Sequence, residues 1–384
     1  MKKVKIITIL DINYGNRLQN YAMQQILRSI GYEVQTIGSN KACYRGDYTF
    51  KNPINLLKRI EILIKFFLKK ILVLLFPNCK LSRKIIQHDT RKLKKFNLNL
   101  FDEFNKKISF DESYKRYLKG YSEDDCIYVV GSDQVWNTNF FSNQYLFMLG
   151  FSKNKENNIA ISPSIGINYI DSESVNEFKK YIYNFKAISC REISGAKLIK
   201  KHFNIECEVL LDPTLILSKE EWILVEKKPK KFTDKKYILV YFLGEINDEK
   251  MGEIIKISEK NKFKIINISY INKNSFPVGP SEFIYLIHNA ELIVTDSYHA
   301  LIFSIIFDKN VRVLKREDRG INSMNARMES LKLLLELDDN IFCKVDELKK
   351  SDEIFIKHNY CKIEKEKHKF FAFLKKYLEG NNSN

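Results

Sequence analysis

The feature that most constrains the fold is an opening strand, helix and strand within the first forty residues. Residues 4–10 form a largely apolar run, and the polar stretch DINYGNRLQN follows it at once. Apolar residues then recur at the helical period over residues 18–30, and Gly31 is placed to end that helix at its C-cap. The next stretch, YEVQTI, predicts a second strand. An opening of this kind is typical of parallel sheets covered by helices.

Strand-length apolar runs continue along the chain, and most are followed by helical patterns. They are CIYVVGS, NIAISPSIG, AISC, CEVLLD, YILVYFLG, KIINIS, LIVTD and NVRVL. The pattern predicts an α/β protein with two halves. The charged, aperiodic segment EKKPKKFTDKK is the best linker candidate, so we predict domains over residues 1–230 and 231–352. Residues 353–384 predict a C-terminal helical tail that docks on the body.

The size and charge of the chain indicate which binding partners to expect. With 384 residues and 45% hydrophobic residues, the chain can bury two full cores. A net charge of +17 favours an anionic partner. The lysines are scattered, however, and no basic stripe interleaved with aromatic residues or recognition motif is present. Nucleic acid is therefore not expected as a partner, and the sequence gives no firm indication of oligomeric state.

The cysteines and the first residues predict a cytoplasmic protein. Seven cysteines occur without a CxxC pair or a Cys/His cluster, which argues against a disulfide framework and against a zinc site. The stretch MKKVKIITIL is too short for the core of a signal peptide and is predicted to be the first strand. No other metal motif is present, so we expect no metal and no cofactor.

An amphipathic insertion over residues 54–77, INLLKRIEILIKFFLKKILVLLFP, stands out in the first half. Apolar residues fall at helical spacing, and lysines with one arginine fill the other side. Its charges make a membrane-spanning helix costly. We interpret it as a helix packed on its domain, and the alternative is a peripheral contact with anionic lipid at the inner face of the plasma membrane.

Polar residues cluster at the ends of the predicted strands. In parallel sheets, ligands bind beyond the carboxyl ends of the strands, where free N–H groups attract anions. Several such residues follow the first strand, CIYVVGS and the run through SPSIG. We predict that they line the cleft or bind an acceptor: Gly15, Asn16, Asn20, Gly131, Ser132, Asp133, Gln134 and Ser164.

Arg191, in CREISG, and His299, in VTDSYHA, complete this set. His299 follows a buried strand directly and precedes a helix that reads as buried, a place where a solvated histidine is not expected.

Each of these residues also has a structural interpretation. Gly15 and Gly131 could be ordinary turn glycines, and Asp133 could cap a helix. Arg191 could pair with Glu192 or with a surface carboxylate. The sequence contains no GxGxxG, Walker, HExxH or GxSxG pattern, which argues against dinucleotide-dependent enzymes, P-loop NTPases, zincins and serine hydrolases.

Together these motifs resemble the polysaccharide pyruvyltransferase family. The matching stretches run in family order from residue 14 to about residue 337: YGNRLQNYAMQ, VVGSDQVWN, SPSIG, ISCREISG, LLDPTLIL, EFIYLIHNAELIVTDSYHALIFSIIF and MNARMESLKLLLEL. The resemblance implies two Rossmann-like domains in a GT-B-type arrangement, with the active site in the cleft between them.

The resemblance also implies a reaction and its residues. The donor would be phosphoenolpyruvate, and the acceptor would be paired sugar hydroxyls of a cell-surface polysaccharide or its lipid-linked precursor. His299 matches the family's catalytic histidine and Arg191 a donor-binding arginine. Histidine suits this role because its pKa lies near neutrality. Two alternatives remain: a GT-B glycosyltransferase that uses a nucleotide sugar, and an inactive scaffold at the membrane surface.

One departure from the family pattern affects the donor site. Many members have Arg-Leu-His where this chain has Ser297-Tyr298-His299. An arginine–anion contact contributes on the order of 1.5–3 kcal/mol, so another cation must replace it or the donor must differ. We therefore place Ser297 and Tyr298 in the donor site, with Arg316, Arg319 and Lys315 as candidate replacement cations.

Overall fold

The protein folds into two α/β lobes. The structure is a computed structural model that describes residues 2–39, 95–139, 144–230, 232–233, 236–244, 246–269, 277–315, 323–350 and 360–379. The predicted insertion at residues 54–77 lies outside these ranges, as do Arg316 and Arg319. Among the described residues, no helix combines the length and the apolar character needed to cross a bilayer.

The first lobe is built on a parallel sheet of seven described strands in the order β3-β2-β1-β4-β5-β6-β7. This is the strand order of a Rossmann-type sheet, extended by one strand. The strands are β1 (Lys3–Ile7), β2 (Glu33–Ile37), β3 (Phe110–Asp111), β4 (Cys126–Val130), β5 (Asn158–Ala160), β6 (Ala187–Cys190) and β7 (Glu208–Val209). The helices of this lobe are α1 (Tyr14–Ser29), α2 (Lys95–Asn105), α3 (Tyr114–Tyr117), α4 (Ser172–Lys179), α5 (Ile193–Phe203) and α6 (Lys219–Ile223).

The second lobe is built on a parallel sheet of five described strands in the order β12-β11-β10-β8-β9, which is doubly wound. Its strands are β8 (Tyr237–Tyr241), β9 (Lys264–Asn267), β10 (Leu292–Thr295), β11 (Val311–Leu314) and β12 (Phe342–Cys343). Its helices are α7 (Asp248–Asn261), α8 (Pro280–His288), α9 (Tyr298–Ile306) and α10 (Ser323–Leu335), and α11 (Tyr360–Leu374) follows them. The boundary predicted near residue 230 falls between the last strand of the first sheet and the first strand of the second.

The first βαβ unit forms as its sequence predicts. Asn13 caps α1, since its side-chain oxygen accepts a hydrogen bond from the N–H of Gly15 at 2.9 Å. Gly31 follows the helix with a φ of 91°, a conformation that glycine adopts without a steric penalty. The helix buries its apolar face against the sheet, which places its N-terminus at the carboxyl end of β1.

An aromatic cluster joins the two lobes. Tyr14 of α1 stacks on Phe101 of the first lobe and on Phe283 of the second, with ring centroids 5.6 and 4.7 Å away. Trp222 of α6 meets Phe303 of α9 with centroids 4.8 Å apart. All five rings are buried in one continuous core. The lobes are therefore packed against each other, with the carboxyl ends of both sheets directed at the junction.

This arrangement confirms the predicted fold class, two Rossmann-like domains of GT-B type. Helix α11 returns to the first lobe: Lys369 donates to the carbonyl of Val209 at 2.7 Å, and Tyr32 donates to the carbonyl of Leu378 at 2.9 Å. The C-terminal helix thus contacts the sheet that begins the chain.

Candidate active site

The candidate site lies where the strand ends of the two lobes meet. One buried residue after each of several strands lies at the same junction. These are Gly15 after β1, Asp133 after β4, Ser164 after β5, Arg191 after β6, Asp212 after β7 and His299 after β10. Of these six, His299 alone comes from the second lobe, so the site is complete only when both lobes are in place.

The start of α9 fixes the position of His299. The hydroxyl of Thr295 donates to the carbonyl of Tyr241 and accepts from the N–H of Ser297, which locks the turn out of β10. Ser297 then caps α9 by accepting from the N–H of Ala300 at 3.4 Å. His299 is 7% exposed, and its Nε2 lies 3.6 Å from Oδ2 of Asp212.

Gly15 leaves the room that the imidazole ring occupies. A Cβ atom at position 15 would lie 2.0 Å from Nδ1 of His299 and 2.4 Å from its Cε1. Gly15 lies within α1 rather than in a turn, so the interpretation as a turn glycine is wrong. The first lobe thus supplies one wall of the histidine site with bare backbone.

Asp212 lies beside the other edge of the ring. Its carboxylate is fully buried, and Oδ2 is 3.6 Å from Nε2 of His299 and 2.6 Å from Nη1 of Arg191. Thr214 donates to Oδ1 through both its N–H and its hydroxyl. Burial alone would raise the pKa of Asp212, but the contact with His299 and the charge of Arg191 lower it well below its usual range. Asp212 is therefore a buried carboxylate anion between a histidine and an arginine.

Arg191 is held between acidic and aromatic groups. Besides the ion pair with Asp212, its Nη2 is 3.9 Å from Oδ1 of Asp133. Its guanidinium lies 4.7 Å from the centroid of the Tyr298 ring, in a cation–π contact. The alternative interpretation, in which Arg191 pairs with Glu192 or a surface carboxylate, is thus wrong, because Arg191 pairs with buried Asp212.

The loop after β4 holds the second carboxylate of the site. Asp133 has a φ of 62° and accepts a hydrogen bond from the amide of Asn16 and from the N–H of Gln134. Ser132 donates its hydroxyl to Asp212 at 3.2 Å. Asp133 therefore does not cap a helix, and it connects α1 to the loop that contacts Asp212.

Ser164 and Glu192 form a second buried polar pair close to Arg191. The hydroxyl of Ser164 donates to the carboxyl group of Glu192, which is 1% exposed. Burial raises the pKa of Glu192 above its usual range, although the charges of Arg191 and Arg327 and the Ser164 hydrogen bond oppose this. Arg327 is buried, and its guanidinium lies 5.4 Å from the Tyr298 ring centroid. Arg191 and Arg327 thus both lie beside the ring of Tyr298.

Some predicted residues serve the scaffold instead of the junction. Asn20 accepts from the hydroxyl of Thr36 in β2 at 2.7 Å, one turn away from Asn16. Gly131 has a φ of 119°, and a Cβ there would lie 2.2 Å from the carbonyl oxygen of Ile161. The amide of Gln134 packs against Gly166. At position 131 a side chain would therefore collide with the backbone, and Asn20 serves to bond helix α1 to strand β2.

Sequence reasoning missed three residues of the site: Asp212, Glu192 and Arg327. The signal for Asp212 was available, because LLDPT places an aspartate directly after a strand-like run, as VTD does in the second lobe. Among the described residues, no group of three or more His, Cys, Asp or Glu side chains could hold a metal ion. The junction brings together the imidazole of His299, the carboxylate of Asp212 and the guanidinium of Arg191.

Comparisons with known proteins are informative at the level of sequence family. The sequence model of a family described as polysaccharide pyruvyl transferase matches residues 13–318. No curated protein matches the chain.

Several solved structures align over nearly the whole chain. A putative UDP-N-acetylglucosamine 2-epimerase from Listeria monocytogenes has a TM-score of 0.47 at 10% identity, with 98% of this chain and 96% of that chain covered. The UDP-GlcNAc 2-epimerase of Methanocaldococcus jannaschii, in complex with UDP-GlcNAc and UDP, has a TM-score of 0.47 at 14% identity, covering 97% and 99%. Phytolacca americana UGT2 has a TM-score of 0.42 at 10% identity, covering 97% and 93%. The likeness to these structures is weak, and the strand orders of the two sheets define the two Rossmann-like lobes.

Proposed function

Since the chain belongs to the polysaccharide pyruvyl transferase family, we propose that it transfers a pyruvyl group from phosphoenolpyruvate to two hydroxyls of a sugar. The acceptor would be a cell-surface polysaccharide or its lipid-linked precursor, and the product a ketal. The observation that carries the proposal is the meeting of His299 from one lobe with Arg191 from the other at Asp212.

The chemistry of the donor fits these groups. Phosphoenolpyruvate carries a phosphate and a carboxylate, so its site needs cations. Arg191 and Arg327 are the buried guanidinium groups nearest to Tyr298 in the described part of the chain. In this proposal Arg327 takes the place of the arginine that many family members have at the position of Ser297. Arg316 and Arg319, which lie outside the described residues, remain further expectations for the same role.

The acid–base requirement falls on His299. Protonation of the donor's methylene carbon creates a cationic centre at the adjacent carbon, which a sugar hydroxyl attacks. Phosphate then leaves, and the second hydroxyl closes the ketal. An imidazole can give the first proton and accept one from the attacking hydroxyl. His299→Ala should therefore abolish transfer while the protein stays folded.

Ligand-dependent stability tests the donor. We expect phosphoenolpyruvate to raise the unfolding temperature, since a ligand at 100 times its Kd adds about 2.7 kcal/mol of stability. A panel of nucleotide sugars, measured in parallel, tests the glycosyltransferase alternative. A shift with a nucleotide sugar and none with phosphoenolpyruvate would overturn the proposal.

Arg191→Lys tests the cation. The variant keeps a positive charge near Asp212 but loses the planar fork that binds two anion oxygens at once. We expect the KM for phosphoenolpyruvate to rise about 10-fold or more, with a smaller change in kcat. Exposed Arg116→Lys is the matched control and should leave both constants unchanged. An unchanged KM in Arg191→Lys would remove this residue from the donor site.

A further inference from the structure

Asp212 is the one carboxylate of the described junction that contacts both His299 and Arg191. It is fully buried, and it accepts hydrogen bonds from Arg191, Ser132 and Thr214. These bonds come from three separate segments of the first lobe, so groups of the first lobe alone hold the carboxylate in place. Such a carboxylate is suited to orient a neighbouring side chain.

The ring of His299 presents its two nitrogens to different surroundings. Nε2 faces Oδ2 of Asp212 at 3.6 Å, and this buried nitrogen makes no hydrogen bond to any described residue. Nδ1 lies on the opposite side, against the backbone of Gly15 at the N-terminus of α1. The distance to Asp212 exceeds a hydrogen bond, and contacts of this kind often shorten when the substrate binds.

The charge of Asp212 decides which nitrogen carries the proton in the neutral ring. An ionised carboxylate can only accept hydrogen bonds, so the nitrogen that faces it is favoured as the donor. We propose that Asp212 is a positioning residue that keeps the proton of neutral His299 on Nε2, so that Nδ1, beside Gly15, is the atom that exchanges protons with the substrate. The role of Nδ1 in proton exchange rests on the proposed function, whereas the location of the proton on Nε2 does not.

The proton balance of the reaction is consistent with one working nitrogen. The imidazolium form of His299 would give its Nδ1 proton to the methylene carbon of phosphoenolpyruvate, which becomes a methyl group. The other proton would stay on Nε2, directed at Asp212. The first sugar hydroxyl would then add to the neighbouring carbon and return its proton to Nδ1. The carbon–oxygen bond to phosphate breaks with its electron pair going to phosphate, which takes the proton of the second hydroxyl as the ketal closes. The histidine ends in the state in which it began.

Nitrogen NMR of the whole protein tests the arrangement without any substrate. In a sample labelled with 15N-histidine, the ring nitrogen coupled to both carbon-bound ring protons is Nε2, and His299→Gln identifies the signal by its loss. We expect the neutral ring to carry its proton on Nε2. A neutral ring with its proton on Nδ1 would overturn the proposal, whatever the activity of the enzyme.

Asp212→Asn tests the role of the charge. The amide keeps the shape but no longer enforces a donor at Nε2, so we expect a mixture of ring tautomers and a loss of kcat of about 10²–10⁴-fold. Asp171→Asn, which changes the exposed cap of α4, is the matched control and should alter neither. A variant that keeps both the Nε2–H form and its kcat would refute the proposal.

The two proposals fail separately. If Asp212→Asn does not fold, the wild-type spectrum alone decides the position of the proton. If wild-type protein shows the Nε2–H form but neither binds nor consumes phosphoenolpyruvate, the proposed reaction is wrong and the positioning role of Asp212 stands.

Discussion

Gly15→Ala should separate activity from folding, because the added methyl group collides with one side chain. The new Cβ would lie 2.0 Å from Nδ1 and 2.5 Å from Cγ of His299. Non-bonded heavy atoms need roughly 3.5 Å, so the imidazole must retreat by about 1.5 Å or α1 must shift. Misplacing a reacting group by about 1 Å can cost about 100-fold in rate. We therefore expect kcat for pyruvyl transfer to fall by about 100-fold.

The same substitution should cost little stability. Overpacking costs about 1–3 kcal/mol, and replacing glycine by alanine within a helix returns about 0.5–1 kcal/mol. The net loss is about 0–2.5 kcal/mol, which is smaller than the roughly 5–15 kcal/mol that stabilises a typical folded protein. The free energy of unfolding in urea, compared with kcat from phosphate release, measures both effects.

Gly252→Ala is the matched control. This glycine lies in α7, and a Cβ there would meet no atom within 4 Å. We expect it to gain about 0.5–1 kcal/mol with no change in kcat. If Gly15→Ala keeps a kcat within about twofold of the wild type, the contact between Gly15 and the imidazole does not govern the chemistry and the reasoning is refuted.

Two further substitutions test buried charges outside the acid–base pair. The neutral carboxyl of Glu192 is favoured in the folded state, so its stabilising contribution is full below the unfolded pKa of about 4.3 and is lost as pH rises through the folded pKa. Glu192→Gln should therefore become more stable relative to the wild type as pH rises from 4 to 8, and parallel pH profiles in urea unfolding would contradict this. Lys5→Met should cost about 3–5 kcal/mol, because Lys5 contacts Asp111 at 2.6 Å and Glu123 at 2.5 Å inside the first lobe, and both carboxylates would lose their partner. Exposed Lys180→Met is the control, with a clearly smaller expected loss, and equal losses in the two variants would contradict the role of burial.

Sequence patterns were informative wherever one segment carries its own signal. The apolar run before Gly15 and the run before Ser297 each predict a strand, and the helical spacing after them predicts α1 and α9. Both predictions hold, because side-chain periodicity and capping act within a few residues. Polar residues at strand ends also pointed to the right edge of both sheets, since parallel strands direct their carboxyl ends to one side.

Local patterns were weaker where the partner is distant in sequence. Asn20 and Asn16 lie one turn apart on α1 and look equivalent, yet Asn16 bonds Asp133 in the junction and Asn20 bonds Thr36 in the sheet. The difference arises from which neighbour packs over each turn of the helix. Only the assembled lobe determines that neighbour.

The sequence by itself therefore determined a two-lobed α/β chain with a histidine at the start of a buried helix in the second lobe. The tertiary structure decided that Asp212 faces this histidine, that Arg191 pairs with the same carboxylate, and that Gly15 makes room for the ring. The physical reason is that strands and helices follow from short-range periodicity. The pairing of Asp212 with Arg191 follows from how the strands of the first sheet are assembled, and the contact of Asp212 with His299 follows from how the two lobes pack against each other.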